Sequence, residues 1–103
     1  MAGDLPFSIQ WRGPANPRHA GAQIMEHIVP MFRQGGYEIA ERKPDQLVLR
    51  RRMSEFAEFL MRNKLLTPTQ VTIAMTDRGD HSLTEVYGVA PQPIRAALAR
   101  LSM

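Results

Sequence analysis

Apolar residues along this chain follow two rhythms, one of period two and one close to four, and the rhythms alternate in blocks. Phe7, Ile9 and Trp11 are separated by Ser8, Gln10 and Arg12. Alternation of that kind gives an extended segment one apolar face, so a first strand is predicted over residues 6–12. Pro6 has no amide hydrogen and belongs at a strand start or a sheet edge. A connection rich in glycine, proline and asparagine follows over residues 13–18. Asn16-Pro17 has the chemistry of a helix start, because asparagine caps free amides and proline is preset for the first helical position. Ala20, Ile24, Ile28 and Phe32 then recur every four residues and place one stripe against a core, until Gly35-Gly36 ends the helix. Pro30 conflicts with this pattern, and a kink or a broken last turn is expected at Val29.

Two hairpins come next in the pattern. Residues 37–41 alternate, Lys43-Pro44-Asp45-Gln46 supplies turn residues, and residues 47–50 run back. In the second hairpin Val71, Ile73 and Met75 alternate with Thr72, Ala74 and Thr76. Asp77-Arg78-Gly79-Asp80 is its turn, and residues 83–89 return. Short connections force both pairs to be antiparallel. The expected registers place Ile39 opposite Leu47 or Leu49, and Met75 opposite Leu83 or Glu85. A middle helix is predicted over residues 54–66, capped by Ser54 and ended by Thr67-Pro68. A last helix is predicted over about residues 91–101, where Ile94, Ala97, Leu98 and Leu101 form a narrow stripe.

The resulting order is β-α-β-β-α-β-β-α, and the simplest way to bury these stripes is an α+β domain. It has a five-stranded, mainly antiparallel sheet with helices packed on one face. With 103 residues, no repeat and no long linker, the whole chain, 1–103, is expected to form one domain. The order resembles that of helix-grip and related α+β folds. No motif accompanies that likeness, so it implies nothing about activity.

Composition narrows the function classes. The 44% hydrophobic and 22% charged fractions are those of a globular chain. The chain has no cysteine, which removes disulfides, thiolate nucleophiles, cysteine-ligated zinc and iron–sulfur clusters together. The start, Met-Ala-Gly-Asp-Leu-Pro, carries an acid where a signal peptide carries base, and no apolar stretch is long enough to span a bilayer. The expected address is the cytoplasm.

Candidate chemistry is sparse. His19 and His27 are eight apart on one predicted helix, about 12 Å along its axis, which is too far for two ligands of one metal without a third element. His81 sits in a turn beside Asp80. No zinc-protease helix motif, nucleophile elbow or phosphate loop is present. Neither an enzyme nor a cofactor or metal site is expected.

Two features point to binding. The first is the middle helix, where Phe56, Phe59, Leu60, Met61 and Leu66 cover more than a one-sided stripe. Either this helix is deeply buried against the sheet, or its surplus apolar face meets a partner: a second copy, another protein or a membrane surface. Phe56 and Leu60, four apart, are expected on one face, with Phe59 and Leu66 turned off it. The second feature is basic. Net charge is +3, from 13 basic and 10 acidic residues, and Arg42, Arg50 and Arg52 gather around the first hairpin. They would contact phosphates in a nucleic-acid or anionic-surface binder; the plainer alternative is a solvated strand end. Nucleic-acid sheets also carry stacking aromatics, and Tyr37 is the only one in this hairpin. A third reading is a pocket between sheet and helices, lined by Trp11, Tyr37, Tyr87 and Met75, that holds a small apolar ligand. The sequence thus favours a small interaction module, expected as a homodimer, over a nucleic-acid binder or a ligand carrier.

Overall fold

The computed structural model describes residues 4–64 and 69–101. Five strands form one sheet in the order β1-β5-β4-β3-β2, with β1 Leu5–Gly13, β2 Tyr37–Lys43, β3 Gln46–Arg51, β4 Gln70–Asp77 and β5 Ser82–Ala90. Every neighbouring pair is antiparallel. The expected α+β architecture is the observed one, and β1, with Pro6, is an edge strand.

Asn16 caps the first helix as its chemistry requires, its side chain accepting from the Arg18 amide at 2.9 Å, with Pro17 at the first position. That helix, α1 Pro17–Gln23, does not break at Pro30. It passes through a π-helical turn, Ile24–Ile28, and continues as α2 Val29–Gln34. The Val29 amide reaches back five residues to the Ile24 carbonyl. The wider turn resets the hydrogen-bond ladder, so that Pro30 falls in the first turn of α2, where a missing amide costs little. The expected kink is therefore a π-bulge placed ahead of the proline.

Ile24, Ile28, Val29 and Phe32 are buried against Leu47, Leu49, Val71, Ile73 and Val86 of the sheet. The last helix, α4 Gln92–Leu101, adds Ile94 and Leu98 to this core, while Leu101 stays 46% exposed. Phe32 is fully buried and meets the Tyr37 ring edge to face, with centroids 5.2 Å apart.

The sheet curls around this helical layer. Tyr37 in β2 donates from its hydroxyl to the Val89 carbonyl in β5 at 2.9 Å. Three strand spacings in a flat sheet would be about 14 Å, so only a strongly coiled sheet permits the bond. Gly88 in β5 has φ +145°. A side chain there would stand 2.7 Å from Val71 Cα and also strike the Gln70 carbonyl, so the close approach of β4 and β5 requires glycine. Asp4, just before β1, closes the same end of the sheet with a two-pronged ion pair to Arg51 in β3, and Arg51 also lies over the Tyr37 ring.

Two strand phases differ from expectation. Ile39 pairs with Leu49, one of the expected registers, but a bulge between Ile39 and Glu41 then inserts one residue. Beyond the bulge Glu41 opposes Val48 and Arg42 opposes Leu47. In the second hairpin Met75 opposes Thr84, one residue from both predicted partners. The inward residues of β5 are Ser82, Thr84 and Val86, all buried. Leu83 faces outward despite its apolar side chain. Gly13, opposite Ser82, leaves room for the inward hydroxyl, since a side chain there would lie 2.6 Å from it.

Candidate functional site

The middle helix, α3 Glu55–Arg62, starts where predicted. The Ser54 hydroxyl accepts from the Ala57 amide at 3.2 Å and the Ser54 carbonyl from the Glu58 amide at 2.9 Å. The helix ends sooner than the predicted residue 66: it stops at Arg62, and Asn63 and Lys64 form a turn in which Lys64 has φ +59°. The predicted stop at Thr67-Pro68 and the candidate Leu66 lie outside the described residues. So does the side chain of Met61, although its backbone belongs to the helix.

The deeply buried alternative for this helix is not what the structure holds. Among the described elements α3 has no substantial packing partner, and Phe56 and Phe59 are 70% and 53% exposed. Ala57 and Leu60 are half-buried. The exposed stripe thus joins Phe56 to Phe59, three apart, rather than to Leu60, four apart. Both spacings are near neighbours on a helix, and the difference in exposure decides between them. Glu55 and Arg62, seven positions apart, lie within about 20° of each other around the helix and border this stripe on one side.

The basic residues of the first hairpin do not share a face. The bulge puts Arg42 on the side of Leu47, toward the helical layer, whereas Arg50 and Arg52 lie on the opposite side with Glu38. Arg52 is paired with Glu38 at 2.7 Å. Arg50 is half-buried, with one guanidinium nitrogen 3.5 Å from the Gln70 side-chain oxygen and Nε buried without a partner. Arg51, which alternation sends to the other side, is taken up by Asp4. That hydrogen bond holds the Asp4 carboxyl below the usual carboxylate range.

Nor do Trp11, Tyr37, Tyr87 and Met75 gather into one pocket. Tyr37 is core, and Tyr87 lies 41% exposed on the open face of the sheet. Trp11 and Met75 fall in separate clefts on either side of α1. The cleft with Trp11, about 280 Å³, runs between the first helical layer and Leu101. The cleft with Met75, about 360 Å³, opens between the start of α1 and the β2–β3 hairpin, and Arg18 and Arg42 stand at it. Sequence reasoning missed this second cleft. Arg18, Ala22 and Met25 do share a helical side, at spacings of four and three, but Arg42 joins them only through the bulge.

His81 Nδ1 lies 2.6 Å from Asp80 and 3.2 Å from an Arg12 nitrogen in the second hairpin turn. This exposed contact lowers the Asp80 carboxyl below its usual range. Among the described residues no group of three or more His, Asp or Glu side chains is placed to hold a metal, and no helix is long and apolar enough to cross a membrane.

No protein-family model matches the sequence, and neither curated proteins nor solved structures yield a match. Function is accordingly read from the geometry of this chain.

Proposed function

We propose that this chain is a small, non-enzymatic interaction module that self-associates through α3. The supporting observation is the exposed pair Phe56 and Phe59 on a helix that the rest of the described fold does not cover. Adjacent exposed aromatics on a regular element are the usual anchors of a protein interface.

A second copy is the occupant that the charges favour. A twofold dimer puts the same patch against itself, and with the axis perpendicular to α3 the two helices meet antiparallel. Glu55 at the start of one then lies beside Arg62 near the end of the other, and the reverse contact forms at the opposite end. A phenylalanine carries on the order of 200 Å² of surface, so at these exposures the two rings offer roughly 250 Å² per copy. A standard interface buries about 800 Å² on each partner. The two rings alone fall well short of that, so a weak, concentration-dependent dimer is expected.

Charge exchange tests the pairing. Glu55→Arg alone and Arg62→Glu alone each set like charges together at both ends, and each is expected to weaken self-association several-fold. An equimolar mixture of the two variants restores opposite pairing and regains association. Recovery that fails while both variants remain folded would rule out the antiparallel arrangement.

A further inference from the structure

The cleft between α1 and the β2–β3 hairpin has a built chemistry of its own. Its floor is apolar: Ile24, Leu47 and Ile73 are buried there, with Met25 and Met75 half-buried beside them. Around it stand three cations, Arg18, Arg42 and Lys43, against one carboxylate, Asp45. Lys43 is engaged by Glu41 at 3.2 Å. The guanidinium groups of Arg18 and Arg42 have no ion pair or side-chain hydrogen bond among the described residues.

We propose that this cleft binds a small amphipathic organic acid, its apolar body on the floor and its anionic group between Arg18 and Arg42. Three features support that ligand class. The volume of about 360 Å³ falls in the range of small-molecule sites. Methionines line two sides, and their flexible thioethers adapt to an alkyl or aromatic body. Arginine presents a planar fork of donors that matches a carboxylate, and two arginines from different elements line this cleft. The bulge in β2 makes the site, since without it Arg42 would point to the other face of the sheet. This inference is independent of α3.

Decanoate and decanol, which share a chain and differ in charge, are suitable probes. Amide resonances followed by NMR in the full chain report where each one binds. Decanoate is expected to shift Met25, Leu47 and Met75 saturably, and decanol to bind there roughly tenfold more weakly or worse. Arg18→Ala and Arg42→Ala, both at exposed positions, should each weaken decanoate by a similar factor while leaving the remaining resonances in place. Equal binding of the acid and the alcohol would overturn the proposal, as would unchanged affinity in both variants. Decanoate shifts confined to Phe56 and Phe59 would likewise overturn it and assign the binding to α3.

Discussion

The α1–α2 layer and α3 begin from the same kind of sequence and end in opposite environments. Both are amphipathic, both are capped by a polar side chain at the predicted residue, and both carry phenylalanine in the apolar stripe. Phe32 is fully buried under a curled sheet, whereas Phe56 is 70% exposed. The difference lies in the connections. The first helix crosses from one edge strand, β1, to the other, β2, and must lie over the sheet between them. α3 joins β3 to β4, which are already neighbours, so nothing in the topology draws it across a face. An apolar stripe therefore says that a helix has something to bury, and the connectivity decides whether its own chain does the burying.

The largest expected effect sharpens that contrast from the buried side. Phe32→Ala removes a ring at the centre of the core and its edge contact with Tyr37, and should cost about 3–5 kcal/mol of folding stability. Urea unfolding measures it directly. A loss of less than about 1 kcal/mol would mean that the helical layer is not packed as described.

Which parts of this account were readable in the sequence follows the same division. Strands, hairpins and caps were readable because neighbouring residues determine them: the Phe7-Ile9-Trp11 alternation, Asn16-Pro17, and Ser54 before α3 all hold. Features set by partners in space were not. The inserted residue near Ala40 follows from pairing with Val48 and Leu49, and it separates Arg42 from Arg50 and Arg52. The phase of β5 misled because Leu83 is apolar and Ser82 and Thr84 are polar, yet Gly13 leaves inward space only for a small residue. Phe56 and Phe59 were singled out by type and spacing. That they are exposed together, while Leu60 is half-buried, is a property of the folded chain and not of the spacing.

A smaller effect is expected at the end of the sheet where Asp4 meets Arg51. The hydrogen bond from Arg51 lowers the Asp4 carboxyl below its ordinary value of 3.8. A lowered folded-state value means that the pair stabilises the fold fully above that ordinary value and loses its contribution as pH falls through the lowered one. Asp4→Asn should thus lower the urea midpoint at neutral pH, and the gap between variant and parent should narrow as pH falls below that ordinary value. A gap that stays constant with pH would remove the ion pair from the account of sheet closure.

The smallest stability effect belongs to α3. Phe56→Ser and Phe59→Ser remove exposed rings, so each should change monomer stability by no more than about 0.5 kcal/mol. Self-association is where these rings are expected to act. Sedimentation velocity of the parent chain and of the doubly substituted chain, each followed from low to high micromolar concentration, tests that most directly. The parent is expected to move from monomer toward dimer as concentration rises, and the double variant to remain a folded monomer throughout. A parent chain that sediments as a monomer across the whole range would contradict the assignment of α3 as a self-association surface.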